Sequence, residues 1–179
     1  KAEALYKPQE GRPAVKTANE GIMHMPVDSD HGINRSIMGY LIMMAGAGVA
    51  WAVRWQNQPA LSSAEGELYG LSTAVCDLLG TMETAEEMGI RFKGKVIVAT
   101  DSRGARLLAQ DCAAASRVRH IRRRWYFTNY HCDESEESEG TLAIRAVAGS
   151  KNHANSLTKP VGGAPAGSDR SYMLGDVRE

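Results

Sequence analysis

The chain has 179 residues, enough for one domain with a sizeable buried core. Lys plus Arg and Asp plus Glu are equal at 21 each, and the net charge of zero excludes a globally basic nucleic-acid-binding protein while leaving a local basic face open. Hydrophobic residues make up 43% of the chain and only 6 residues are proline, which excludes a low-complexity chain and is typical of a globular domain.

The cysteines and the longest uncharged run indicate the compartment. Cys76, Cys112 and Cys132 are far apart and form no C-x-x-C pair, which argues against a disulfide scaffold and a cysteine-type zinc site. We therefore expect an intracellular, reducing compartment. Residues 37–53 carry no charge, but this run is shorter than the ~20 residues that a membrane helix needs, so no membrane partner is expected.

The N-terminal third predicts an arm followed by strands. Residues 1–20 are polar and are interpreted as an N-terminal arm. Residues 22–28 predict a first strand, and Pro26 favours an edge or irregular position for it. Two further strands, 37–45 and 49–54, are rich in β-branched, Met and aromatic residues and are joined by a Gly-containing turn.

A long helix follows these strands. Ser62 or Ser63 can cap it, and Glu65 stands three residues after Ser62, as in a capping box. Gly89 is a plausible stop. The residues that recur at the spacing of one helical face are Leu68, Leu71, Val75, Leu78, Met82 and Ala85.

The C-terminal half alternates strands with helices. The predicted elements are a buried strand at 95–100, a helix from Ser102 to about Gln110, a helix at 116–132, a strand at 141–149, a short helix at 151–159 and a loose tail at 161–179. The whole order predicts an α/β fold with a mixed five-stranded sheet, an antiparallel meander followed by parallel strands, flanked by helices. The folded domain is expected to span residues 21–160.

Three carboxylates fall at the ends of predicted elements. Asp28 ends the first strand, Glu67 lies in the first turns of the long helix, and Asp101 follows the buried strand. Ligands gather at the carboxyl ends of strands in α/β sheets, and hard divalent cations prefer oxygen ligands. Acids at such positions are also common helix caps, so each residue taken alone is weak support for a metal site.

The surrounding motifs resemble the ribonuclease H domain of copia-type LTR retrotransposon polyproteins, over about residues 22–161. The matching segments are VDSD at 27–30, MGYLIMMAGAGVAW at 38–51, ALSSAEGELYGL at 60–71, VATDSRGARLLA at 98–109, SRVRHIRRRWYF at 116–127 and HANSLTKPV at 153–161. No single segment is decisive, but their joint order and spacing are specific. The resemblance implies a ribonuclease H-like fold.

The resemblance also implies an activity. It assigns catalytic and metal-binding roles to Asp28, Glu67 and Asp101, with Glu65 as a capping residue only. Asn155 stands at the metal-binding position where the family carries a fourth acid, which puts full activity in doubt. The implied function is hydrolysis of the RNA strand of RNA/DNA hybrids with two Mg²⁺ or Mn²⁺ ions, beside an upstream reverse transcriptase domain or within a larger assembly.

Two alternatives stay open. One is a catalytically inactive domain recruited as a structural or adaptor subunit of a larger complex. The other is a nucleic-acid-binding module without catalysis, which would bind hybrids in a salt-dependent manner and leave them uncut.

A basic cluster at residues 117–124 bears on nucleic-acid binding. Arg119, Arg122, Arg123 and Tyr126 are candidate contacts to phosphates and sugars of the hybrid. The acidic run at 133–139 leaves a second interpretation equally open, a solvated helix face with balanced charge. Trp125 lies on the apolar side of the same predicted helix and is expected in the core.

Overall fold

The computed structural model describes residues 23–30, 35–92, 94–110, 121–132, 141–159 and 164–175. The strands are β1 (Met23–Asp30), β2 (Ile37–Met44), β3 (Ala47–Trp55), β4 (Val96–Thr100) and β5 (Leu142–Ala146). The α-helices are α1 (Ser63–Glu87), α2 (Arg103–Gln110), α3 (Arg122–Cys132), α4 (Asn155–Thr158) and α5 (Ala164–Met173), and a 3₁₀ turn spans Gly149–Lys151. The predicted N-terminal arm and residues 116–120 of the predicted third helix lie outside the described residues.

The five strands form one mixed sheet in the order β3-β2-β1-β4-β5. β1, β2 and β3 pair antiparallel as a meander, whereas β4 pairs parallel with both β1 and β5. The predicted fold class, with its antiparallel meander, parallel strands and flanking helices, is confirmed.

The position of β1 decides between the two alternatives that Pro26 leaves open, an edge strand and an irregular one. β1 is not an edge: it is the central strand and pairs with β2 on one side and β4 on the other. Its pairing with β2 is irregular, because it joins His24 to Met43 and Val27 to Tyr40 and skips the two residues between them. Pro26, which has no N–H to donate, lies in this gap.

Helix α1 begins and packs as the sequence predicts. The Ser62 hydroxyl accepts a hydrogen bond from the backbone N–H of Glu65, and the Glu65 carboxylate accepts one from the N–H of Leu61. All six residues of the predicted apolar face are buried against the sheet. Glu65 is thereby engaged in capping.

Helix α3 packs beside α1 through the side that the sequence predicts to be apolar. Trp125 is 2% exposed and donates its indole N–H to the carbonyl of Leu108 at 2.6 Å. Ile121, Thr128 and Cys132 are buried on the same side.

None of the described helices is both long enough and apolar enough to cross a membrane.

The C-terminal residues correct the prediction of a loose tail. Residues 164–173 form α5, which contacts β3. The Tyr172 hydroxyl hydrogen-bonds the His24 ring, and the Tyr172 ring stacks on His153 at 3.7 Å. His153 also pairs with Asp169 at 2.7 Å. The composition of residues 161–179 predicts a loop. It could not reveal these contacts, because they join segments that are distant in sequence.

Helix α4 crosses the face of the sheet opposite α1, and a glycine allows its close approach. Tyr40 on β2 hydrogen-bonds Asp77 of α1, so its neighbour Gly39 points to the other face. A Cβ atom on Gly39 would lie 2.7 Å from the Cβ of Leu157 in α4. The absence of a side chain at Gly39 therefore lets α4 rest on β2 and brings its C-terminal end to the acids of β1.

Candidate active site

Three carboxylates from separate elements converge at one place. Asp28 comes from β1, Glu67 from the second turn of α1, and Asp101 directly follows β4. Each offers one oxygen, and these three oxygens lie within 4.8 Å of one another. Because β1 and β4 are adjacent and parallel, with Pro26 opposite Ala99, the two aspartates reach the same level of the sheet.

The exact place of Asp28 differs from the prediction. The first strand continues to Asp30, so Asp28 lies inside β1 and not at its end. Its side chain is buried, and its carboxylate accepts a hydrogen bond from the hydroxyl of Thr158. The Nζ atom of Lys159 lies 3.2 Å from each of its two oxygens.

Asp101 is oriented by the segment that follows β5. The buried side-chain amide of Asn152 donates to the Asp101 carboxylate at 3.2 Å and to the carbonyl of Val27 at 3.0 Å. A Cβ atom on Gly149 would lie 3.0 Å from the other Asp101 oxygen. This turn therefore holds the carboxylate in place and ties it to β1.

The surroundings of Glu67 strongly perturb its ionisation. Burial, together with the negative charges of Asp28 and Asp101, raises the pKa of Glu67 from 4.5 to about 8. Lys159 and a backbone hydrogen bond from Ser29 only partly oppose it. Glu67 therefore keeps its proton at neutral pH unless a further positive charge arrives.

Lys159 is the positive charge already present. Its burial lowers the pKa of the ammonium, but the carboxylates of Asp28, Asp101 and Glu67 outweigh that effect and raise it. The same Nζ atom donates to the Oδ1 atom of Asn155 at 3.1 Å. Asn155, the predicted fourth position, is thus beside Asp28 with Lys159 between them.

The donor set fits a divalent cation such as Mg²⁺ or Mn²⁺. Carboxylate oxygens are the ligands that these hard cations prefer, and an added positive charge would relieve the repulsion among the three acids. Among the described residues this is the group of acids, histidines and cysteines whose geometry suits a metal ion. Asp28, Glu67 and Asp101 would hold it.

Three site residues have no predicted role. Asn152, Thr158 and Lys159 all contact Asp28 or Asp101 directly. Two of them belong to the HANSLTKPV segment, and the four-residue spacing of Asn155 and Lys159 places both on one side of a helical turn. That spacing is the signal by which the sequence could have pointed to Lys159. Its contact with Asp28 joins residues some 130 positions apart, so no local pattern predicts it.

The predicted basic face divides in two. Arg122, Arg123 and Tyr126 are exposed on α3, and the Arg122 guanidinium lies 5.4 Å from the centre of the Tyr126 ring. Arg124 instead packs on α1, where it donates to Ser72 and lies 3.8 Å from the Tyr69 ring centre. Arg119 lies outside the described residues.

Sequence comparison relates the chain to transposon polyproteins. It is 24% identical over 151 residues to the retrovirus-related Pol polyprotein from transposon RE1 of Arabidopsis thaliana, a match that covers 82% of this chain. It is 24% identical over 149 residues to the corresponding polyprotein from transposon TNT 1-94 of Nicotiana tabacum, which covers 83% of this chain. The chain spans about a tenth of the length of these relatives. No protein-family model matches it.

Solved structures share the fold. LC11-RNase H1, solved in complex with an RNA/DNA hybrid, superposes with a TM-score of 0.50 at 14% identity, over 75% of this chain and 92% of that one. The N-terminal RNase H domain of a Mycobacterium tuberculosis protein gives 0.50 at 13% identity, over 78% and 91%. The chain has a ribonuclease H-like fold, and its sequence is similar to the Pol polyproteins of plant transposons, as its resemblance to copia-type elements predicts.

Proposed function

We propose that this chain is a nuclease that hydrolyses the RNA strand of RNA/DNA hybrids with the help of Mg²⁺ or Mn²⁺. The observation that carries the proposal is the convergence of Asp28, Glu67 and Asp101 within 4.8 Å at one end of a ribonuclease H-like sheet. A purely structural subunit would have no need to hold three carboxylates so close, because their mutual repulsion costs stability.

The chain's own residues prepare the site. Thr158 fixes the Asp28 carboxylate and Asn152 fixes that of Asp101, so both are oriented before a ligand arrives. Glu67 would release its proton to the solvent on becoming a ligand. When bound, a divalent cation there would stabilise the negative charge that develops on the phosphate as the phosphodiester is cleaved. The resemblance implies products with 5′-phosphate and 3′-hydroxyl ends.

We assign hybrid binding to the exposed side of α3. Arg122 and Arg123 would contact phosphates and Tyr126 would stack on a sugar or base, while Arg119, outside the described residues, stays a candidate from the sequence. The LC11-RNase H1 structure contains an RNA/DNA hybrid, which supports this substrate class. The names of the sequence relatives support a Pol polyprotein context, in which a reverse transcriptase would supply the hybrid.

The test is cleavage of a labelled RNA/DNA hybrid, first with Mg²⁺ and then with Mn²⁺. We expect metal-dependent cutting of the RNA strand that Asp101→Asn lowers at least 100-fold, while Glu83→Gln, an exposed change on α1, leaves it intact. Absence of cutting with either metal, from protein that is folded by circular dichroism, would refute the nuclease.

The second candidate is a catalytically inactive domain that serves as a structural or adaptor subunit. The observation that favours it is Asn155, which stands where the resembling family carries an acid and whose side-chain oxygen accepts a hydrogen bond from Lys159. The two candidates differ in the cleavage assay, since the structural subunit leaves the hybrid uncut with either metal.

A further inference from the structure

The ammonium of Lys159 lies where a cation would bind. Lys159 directly follows α4, and its Nζ atom is 3.2 Å from both oxygens of Asp28 and 3.1 Å from the Oδ1 atom of Asn155. Three oxygens thus surround one positive nitrogen, which matches the three N–H donors of an ammonium group. The Asp28 side chain is 1% exposed, so water hardly solvates its carboxylate, and the Lys159 ammonium offsets its negative charge instead.

Asp28 is shared between two neighbouring cation positions. On one side it meets Glu67 and Asp101, and these three acids form the proposed divalent-cation site. On the other side it faces Asn155, and the space between the two side chains is bridged by Lys159. A divalent ion such as Mg²⁺ takes its oxygens at about 2.1 Å, so an ion held by both Asp28 and Asn155 would need the space between them that the ammonium fills.

The charges on the two sides match their occupants. The first position has two acids of its own besides Asp28, which suits a doubly charged ion. The second has only a neutral amide besides Asp28, and the amide nitrogen of Asn155 is turned away to donate to the carbonyl of Gly149 at 2.5 Å. One shared carboxylate and one neutral oxygen suit a singly charged group better than a divalent ion.

We propose that Lys159 stands in for the second cation, so that this chain takes up one divalent ion, held by Asp28, Glu67 and Asp101. The inference rests on the proposed divalent-cation site and names its stoichiometry. It makes Lys159 a positioning residue that acts through Asp28.

The test counts bound Mn²⁺ on the full chain, by the loss of the free-ion signal in electron paramagnetic resonance. We expect one Mn²⁺ per wild-type chain and two per chain of the double variant Asn155→Asp/Lys159→Met, in which the second position gains a carboxylate and loses the ammonium. Lys159→Arg keeps the positive charge and should bind one. Lys151→Met, an exposed lysine in the nearby 3₁₀ turn, is the matched control and should also bind one.

The single variant Lys159→Met gives a second readout. Removal of the ammonium leaves Asp28 without its counter-charge, so the affinity for the one ion at the first position should rise about tenfold or more. Two ions on the wild type, or only one on a folded double variant, would overturn the inference and leave the proposed cation site standing. Absence of Mn²⁺ binding in every variant would refute the proposed function and this inference with it.

Discussion

Replacement of Glu67 by glutamine should stabilise the metal-free protein at high pH. Burial and the charges of Asp28 and Asp101 raise the pKa of Glu67 from 4.5 to about 8. The folded chain therefore resists ionisation of this carboxyl group, whereas the unfolded chain does not. An amide of the same shape carries no charge and removes that resistance.

The sign and size of the effect follow from this pKa of Glu67. Below pH 4.5 the carboxyl group is protonated in both states and costs nothing. Between pH 4.5 and about 8 only the unfolded chain ionises, so the cost to folding grows, and above pH 8 it levels off. The full shift corresponds to about 5 kcal/mol, but partial exposure of Glu67 reduces it to about 2–4 kcal/mol.

The assay is equilibrium urea unfolding in EDTA at several pH values, followed by tryptophan fluorescence. Glu67→Gln should match the wild type near pH 4.5 and be more stable by about 2–4 kcal/mol at pH 8.5. Glu83→Gln on the exposed side of α1 should show no such gain. Added Mg²⁺ should stabilise the wild type and not the Glu67 variant. Equal stability of wild type and variant at pH 8.5, or a gain that is independent of pH, would refute the reasoning.

Three further changes test the packing, the positioning contacts and the hybrid face. Gly39→Ala would place its Cβ atom 2.7 Å from that of Leu157, so α4 must shift and urea unfolding should reveal a loss of about 1–3 kcal/mol; an unchanged midpoint would contradict this packing. Asn152→Ala removes the hydrogen bond to Asp101 and should lower Mn²⁺ affinity in calorimetry about tenfold; undiminished affinity would exclude the positioning role. Arg122→Ala should weaken hybrid binding in fluorescence anisotropy and reduce the salt slope by about 1, whereas an unaltered slope would remove this residue from the interface.

Elements with a local signal could be predicted from the sequence. The apolar face of α1, its capping residue Glu65 and the buried position of Trp125 follow from spacing within one helix, and all are confirmed. Pro26 predicts an edge or an irregular strand, but the residue itself does not indicate which, because the gap in the ladder depends on how β1 pairs with β2. A single residue type indicates what a strand tolerates, whereas its place in the sheet depends on its partners.

The site divides in the same way. The three acids could be proposed because the sequence places each near the end of a predicted element and because the surrounding motifs resemble a known family. Lys159 and Asn152 act through contacts with Asp28 and Asp101 that span 131 and 51 positions, and neither residue type is unusual in a polar turn. Arg124 belongs to the basic run, but only the packing of α3 on α1 separates it from its exposed neighbours.

The contact of Tyr172 with His24 has a consequence for the order in which the chain folds. It joins the central strand to the last described helix across 148 positions, and β1 must also wait for β4 before its second edge is paired. Contacts of such long sequence separation slow folding, because most of the loop entropy is lost before they form. During synthesis the β1–β2–β3 meander can assemble early, but β1 keeps an unpaired edge until β4 has emerged. We therefore expect ribosome-bound chains that end before β4 to expose this edge of β1 to chaperones and to other strands.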